Sequence, residues 1–213
     1  MSATQTRPDP QRTFADPAPE EVIQQVAARM RERNFDVLIV DDGAAARDAV
    51  QALVPRGAEI HSAKSKSLQD SGIFDLLHDP TAYNALRHRY LTMDRQTQAG
   101  EIRKLLGAPD YMLGSVHAIT ASGALVVASA SASQIGPYAN TAGKVILVVG
   151  SQKIVPDLET ALARIYEHAL PWESAQVRRV ANMDSFVGKV LIIEREWVAQ
   201  RITVVLVRQP LGI

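Results

Sequence analysis

The alternation of apolar and polar positions divides the first half of the chain into helices and strands. Apolar residues at helical spacing from Val22 to Met30 predict a helix over 19–33. The apolar run in "FDVLIVDD", residues 35–42, predicts a buried strand, "AAARDAVQALVP" a helix that Pro55 ends, and "GAEIHSA" a short strand. Helices are also predicted within 80–107. Helices alternating with strands indicate an α/β fold.

Strand patterns dominate the second half. "YMLGSVHAI", "GALVVASA" and "KVILVVG" predict three strands, and "VPDLETALARIYEHAL" predicts a helix that we expect Pro171 to end. The last two β-branched runs, "VGKVLIIERE" and "RITVVLVRQ", are separated by a short polar link and predict an antiparallel hairpin. The predicted fold is therefore α/β, with a mostly parallel twisted sheet flanked by helices and a C-terminal antiparallel hairpin.

The N-terminal residues 1–18 are polar and proline-rich, so we predict a flexible arm there and a single α/β domain over 19–213. The arm lacks the apolar centre of a secretory signal, and no stretch approaches 18 continuous apolar residues. A cytoplasmic protein without a membrane span is the expectation.

Composition excludes several classes of function. The 213 residues include 23 basic and 23 acidic side chains, a formal net charge of +0, which argues against nucleic-acid binding driven by phosphate contacts. With no cysteine, the chain cannot hold an iron–sulfur cluster or a zinc ion through thiolates. The five histidines are not spaced as metal ligands, so neither a metal nor a cofactor is predicted.

Two stretches rich in serine and other small or polar residues are the candidates for an anion-binding site. In "SAKSKSLQD", Ser67 is placed to cap a short helix beside lysines. In "TASGALVVASASASQ", a turn and a serine-rich exit follow strand patterns, where ligands of open α/β sheets bind. The predicted ligand-binding residues are Lys66, Ser67, Thr120, Ser122, Gly123, Ser131, Gln134 and Lys153. The alternative interpretation is an exposed capped loop and a stretch of close packing.

The standard motifs of phosphate binding and hydrolysis are missing. "GPYANTAGKV" lacks the spacing and the hydroxyl residue of a P-loop, and no G-x-G-x-x-G follows the first strand. "GSVHAI" does not match the G-x-S-x-G nucleophile elbow, so the sequence does not predict Ser115 as a nucleophile of that type.

Three segments together resemble the LUD-domain family, specifically its LutC-type lactate-utilisation proteins. They are "AKSKSLQDSGI" (63–73), "GSVHAITASGALVVASASAS" (114–133) and "KVILVVGSQKIVPDLETALARI" (144–165), and "RITVVLVRQPLG" adds support. The resemblance implies a NagB/RpiA/CoA-transferase-like fold and a place in L-lactate oxidation, beside companion subunits that carry iron–sulfur clusters. The chain itself would be a cluster-free accessory or anionic-ligand-binding component.

One departure from the family bears on catalysis. Many relatives carry an acidic residue followed by Thr-Gly-Thr at the central turn, where this chain has Ala121 to Ala124. CoA-transferases of this fold group use a glutamate nucleophile, and neither Glu173 nor Glu194 aligns with that role. Two alternatives stay open: an enzyme of the same fold group that acts on a phosphorylated or CoA-linked metabolite, and a purely structural interaction subunit.

Overall fold

The computed structural model describes residues 13–213. Most of the predicted N-terminal arm, residues 1–12, lies outside the described residues. Residues 13–18 pack on the rest of the chain: Arg164 donates a hydrogen bond of 3.3 Å to the carbonyl of Phe14, and the Ala18 N–H donates one of 3.1 Å to Ser151 Oγ.

The described residues form the following elements. The strands are β1 (Asp36–Val40), β2 (Glu59–Ser62), β3 (Asn84–Ala85), β4 (Tyr111–Gly114), β5 (Ala118–Thr120), β6 (Leu125–Ser129), β7 (Lys144–Gly150), β8 (Ile154–Val155), β9 (Lys189–Ile193) and β10 (Ile202–Val207). The helices are α1 (Glu20–Glu32), α2 (Gly43–Leu53), α3 (Lys66–Asp70), α4 (Ile73–Leu77), α5 (Leu86–Tyr90), α6 (Ala99–Gly107), α7 (Leu158–Arg164) and α8 (Leu170–Ala181).

A six-stranded sheet in the order β1-β10-β7-β4-β2-β3 forms the centre of the fold, and every strand pair in it is parallel. Alternate residues of β7 point to opposite faces: Val145 and Leu147 pack with α1, while Ile146 and Val148 pack with α2, α3 and α4. Helices thus cover both faces, and the predicted α/β architecture is confirmed.

Two helices begin at aspartates that follow strands. Asp42 accepts a hydrogen bond of 2.9 Å from the Ala45 N–H at the start of α2, and Asp157 accepts one of 2.8 Å from the Thr160 N–H at the start of α7. These carboxylates act as helix caps.

The predicted C-terminal hairpin is wrong. β9 pairs antiparallel with β6 in a second sheet of order β8-β5-β6-β9, whereas β10 inserts between β1 and β7 in the parallel sheet. All six residues of β10 are buried, as an interior parallel strand requires, but Val190 and Ile192 of β9 are each 38% exposed. β9 and β10 have similar amino-acid composition. They join different sheets because each pairs with strands that are distant in sequence.

The expectation that Pro171 ends the long helix is also wrong. A π-helical turn at Ile165–Ala169 joins α7 directly to α8, which continues to Ala181. Pro171 lies in the first turn of α8, immediately after this irregular turn, where a missing N–H and the bulk of the ring are tolerated. The helix ends instead at Asn182, which adopts a left-handed conformation (φ 50°).

Candidate functional site

A cavity of about 310 Å³ lies at the carboxyl ends of β2, β4 and β7, which are neighbours in the parallel sheet. Each strand leads into a segment that contributes a polar side chain: Ser67 after β2, Ser115 after β4 and Lys153 after β7. Open α/β sheets bind ligands at this edge because the connecting loops converge there. The three residues are far apart in the chain and meet only through strand order.

The polar centre of the cavity is a triangle of three side chains. Lys153 Nζ donates hydrogen bonds to Ser67 Oγ at 2.9 Å and to Ser115 Oγ at 3.1 Å. The two serine oxygens are 3.2 Å apart, and Ser67 Oγ also lies 3.2 Å from the Leu211 carbonyl. The three side chains are thus within hydrogen-bond distance of one another.

Lys153 is held in place by the turn that follows β7. Residues Ser151–Lys153 form one 3₁₀ turn, and all three are buried. Gln152 exchanges hydrogen bonds with the backbone of Leu211, donating at 3.0 Å and accepting at 3.2 Å. These bonds fix Gln152, the residue before Lys153, and the Lys153 side chain extends toward the two serines.

The pKa of Lys153 is lowered to about 7, mainly by burial and also by the positive charge of Arg164, while Asp70 acts in the opposite direction. Desolvation penalises the charged form, and in the described residues no carboxylate lies within ion-pair distance of this amine. At neutral pH, both the ammonium and the free amine of Lys153 are populated.

His117 contributes a neutral imidazole to the cavity wall. Burial lowers its pKa to about 3, and the charges of Lys153 and Arg164 act in the same direction. Its Nδ1 accepts a hydrogen bond of 3.1 Å from the Ala128 N–H, which places the ring hydrogen on Nε2. The carbonyl of His117 accepts a hydrogen bond of 2.7 Å from Arg164, so the buried guanidinium supports the same segment.

Charged and hydroxyl side chains surround this centre. Lys64 lies 3.8 Å from Glu173, Lys66 forms an ion pair with Asp70 one helical turn later, and the exposed Ser131 lines the serine-rich side. The residues that line the cavity are Ala63, Lys64, Ser65, Lys66, Ser67, Ser115, Val116, His117, Ala128, Ser129, Ala130, Ser131, Ser133, Gln134, Tyr138, Lys153, Ile165, Ala169, Leu170, Trp172, Glu173, Ser185, Phe186, Val187 and Ile213.

Five of the residues predicted from the sequence line this cavity: Lys66, Ser67, Ser131, Gln134 and Lys153. Ser67 does so without capping a helix, since it is the second residue of α3 and the N-cap position belongs to Ser65. Gln134 Oε1 accepts a hydrogen bond of 3.1 Å from Ser129 Oγ, which holds the serine-rich loop together.

The other three predicted residues, Thr120, Ser122 and Gly123, do not line the cavity. Their turn packs on α1: Arg29 donates a hydrogen bond of 2.6 Å to the Ala121 carbonyl, and a Cβ on Gly123 would lie 3.1 Å from the Met30 backbone nitrogen. Gly123 has a φ of +91°, which favours glycine. At this turn, the small residues serve a tight bend and close packing.

Two further cavity residues, Ser115 and His117, were not among the predicted site residues. Ser115 follows β4 directly, whereas the strand predicted from "YMLGSVHAI" continues through it, so the predicted strand ends did not point to Ser115. Within the described part of the chain, no group of three or more histidine, cysteine or acidic side chains is placed to hold a metal ion. No helix in residues 13–213 is long and apolar enough to cross a membrane.

Fold and site together define an α/β protein with a lysine–serine cavity at the carboxyl edge of its parallel sheet. The LUD domain matches residues 23–207, and the chain therefore belongs to the LUD-domain family. This confirms the resemblance seen in the sequence.

Comparison with solved structures supports the fold. The chain is similar to the crystal structure of a DUF162 family protein from Deinococcus radiodurans, with a TM-score of 0.53 and 13% sequence identity, over 88% of this chain and 96% of that one. At this identity the likeness concerns the fold alone. No curated protein gives a significant match.

Proposed function

We propose that this LUD-domain protein binds a small anionic ligand in the cavity and acts as a cluster-free component of L-lactate utilisation. The observation that carries the proposal is the buried Lys153 amine, which has two serine hydroxyls as neighbours and lacks a carboxylate partner within ion-pair distance in the described residues. A ligand carboxylate or phosphate in the cavity would supply the missing negative charge.

The composition of the chain supports the cluster-free role. Without cysteine it offers no thiolate for an iron–sulfur cluster, so the electron transfer of lactate oxidation would belong to companion subunits. We propose these subunits as partners and the cytoplasm as the place of action. Co-purification of the tagged chain with cysteine-rich proteins encoded by adjacent genes would test the partnership.

A purely structural subunit is the less favoured alternative. This alternative predicts that the serine-rich stretch forms no cavity, yet residues 128–131 line one. The enzymatic alternative is favoured by the Lys153–Ser67–Ser115 geometry, because a lysine with neutral-range pKa can exchange protons with a hydroxyl.

A thermal-shift screen tests ligand binding. Lactate, sugar phosphates, CoA esters and nucleotides would each be added, and a ligand at 100 times its dissociation constant should stabilise the protein by about 2.7 kcal/mol. Lys153→Met and Lys66→Ala should abolish the shift. Ser122→Ala is the matched control, because Ser122 is exposed and lies outside the cavity, and it should retain the shift. An undiminished shift in both lysine variants would contradict the proposed site.

A further inference from the structure

We propose that the cavity hydrolyses a thioester or ester of a small organic acid, with Ser115 as the nucleophile, Lys153 as the general base and Ser67 as a positioning residue. The inference rests on the proposed function, because it assigns chemistry to the same anion-binding cavity. No glutamate nucleophile is needed for this reaction.

The geometry of the three side chains is that of an activated serine. A nucleophilic hydroxyl requires a base within hydrogen-bond reach and a third group that orients the base. Lys153 Nζ lies 3.1 Å from Ser115 Oγ, and Ser67 Oγ contacts both of them, at 2.9 Å and 3.2 Å. A buried lysine without a carboxylate partner destabilises the fold, so a purely structural role does not account well for Lys153 at this position.

Accessibility assigns the nucleophile to Ser115 and the positioning role to Ser67. Ser67 is 1% exposed, and its hydroxyl is also within hydrogen-bond distance of the Leu211 carbonyl. Ser115 is only half-buried, lines the cavity and sits at the end of β4, where a carbonyl carbon can reach it. His117 lines the same cavity, with its Nδ1 bound to the Ala128 N–H.

The reaction balances with water as the co-reactant. The free Lys153 amine takes the proton of the Ser115 hydroxyl while Ser115 Oγ bonds to the substrate carbonyl carbon. The bond from that carbon to the leaving sulfur or oxygen then breaks, and the leaving atom receives the proton from the Lys153 ammonium. Water attacks the acyl-serine, gives a proton to Lys153, and Ser115 Oγ leaves with that proton, releasing the acid.

The charges at the cavity define the substrate class. A volume of about 310 Å³ suits a small acyl group, and the exposed Lys64 with the half-buried Lys66 can meet negative charge on the leaving group. A thioester whose thiol carries phosphate groups satisfies both conditions.

Proton exchange by Lys153 is supported by its pKa of about 7. The charged and titratable groups that surround it are Arg164 of α7, Asp70 of α3, His117 after β4 and His168 of the π-helical turn. The pKa values of both histidines are lowered, which favours their neutral forms near neutral pH, whereas Lys153 changes charge there.

A fluorophosphonate probe tests the nucleophile, because Ser115 Oγ would bond to phosphorus as fluoride leaves. We expect a single adduct by intact mass, mapped to Ser115 by peptide analysis and absent in Ser115→Ala. Labelling should be at least about 100-fold slower in Lys153→Met, the usual contribution of a general base. Ser122→Ala, which changes an exposed serine outside the cavity, should label at the wild-type rate.

The pH dependence of labelling, measured for the wild type and for Ser67→Ala, gives a readout that remains if Ser115→Ala or Lys153→Met fails to fold. The wild-type labelling rate should rise with pH through a midpoint near 7, and Ser67→Ala should move that midpoint, which a merely structural residue would not do. A pH-independent rate, an adduct on another serine, or undiminished labelling of folded Lys153→Met would overturn the proposal. A ligand-induced thermal shift without labelling would refute the hydrolysis alone, whereas labelling without any shift would refute the proposed anion binding.

Discussion

Replacing Lys153 with methionine should change how the stability of the protein depends on pH. Methionine has similar length and no charge, so Lys153→Met removes the titrating amine while the cavity stays filled. In the folded chain the pKa of Lys153 is lowered from 10.5 to about 7 by burial. Between these values the unfolded chain binds one more proton than the folded chain, so the free energy of unfolding of the wild type rises with pH.

The magnitude follows from the proton difference. One proton corresponds to about 1.4 kcal/mol per pH unit. From about pH 7.5 to about pH 9 the difference stays near one proton, so the wild type should gain about 2 kcal/mol relative to Lys153→Met. Below the folded pKa of about 7 both states are protonated, and there Lys153→Met should be the more stable protein because a buried charge has been removed.

Urea unfolding at a series of pH values, followed by circular dichroism, measures this difference. The quantity of interest is the wild-type free energy of unfolding minus that of the variant, because other titrating groups cancel. Lys104→Met, which changes an exposed lysine on α6, should run parallel to the wild type across the range. Parallel curves for the wild type and Lys153→Met would refute the depressed pKa and the burial that causes it.

Three further substitutions test the surroundings of the site. Gly114→Ala should lower the free energy of unfolding by about 1–3 kcal/mol in urea melts, because the new Cβ would overlap the hydroxyl of the fully buried Tyr138. Gly107→Ala is the control: a Cβ there meets no atom within 4 Å, so this variant should not destabilise the protein. Burial lowers the pKa of His61 from 6.5 to about 4. Between these two pH values the unfolded chain binds one more proton than the folded chain, so the free energy of unfolding falls as the pH falls. His61→Phe should therefore lose less stability than the wild type between pH 7 and pH 5, and equal losses would contradict this reasoning. Glu196→Ala should cost about 3–5 kcal/mol in the same melts, since it strands the buried Arg201 guanidinium 2.7 Å away, and a loss below 1 kcal/mol would contradict the pairing.

Much of the fold could be predicted because hydrophobic periodicity is a local property. The helix that became α1 and the strands that became β1, β2 and β7 follow directly from the spacing of apolar residues. Strand pairing is not local, and this is why the predicted hairpin failed: β9 and β10 are adjacent in sequence but belong to different sheets. Pro171 failed as a helix end because a π-helical turn just before it accommodates the ring.

The candidate site could be predicted only in part, because some of its features are local in sequence and others depend on strand order. Helix starts can be recognised in a sequence: Lys66 and Ser67 were predicted from the start of a short helix, and Lys153 from its place before the long helix. The three-way contact with Ser115 could not be foreseen, because it depends on β4 lying between β2 and β7 in the sheet. The turn at Thr120 has similar composition but packs on α1, and composition alone does not distinguish a bend from a ligand loop.

The most direct test of the central claim is the pKa of Lys153 measured by NMR, with lysine labelled at Cε, in the absence and presence of L-lactate. Lys153→Met would assign the resonance. The account predicts a midpoint near 7 in the free protein and a higher midpoint with lactate, because a bound carboxylate stabilises the ammonium. A midpoint near the ordinary 10.5 in the free protein, or one that lactate leaves unchanged, would contradict the claim that this amine binds the anion.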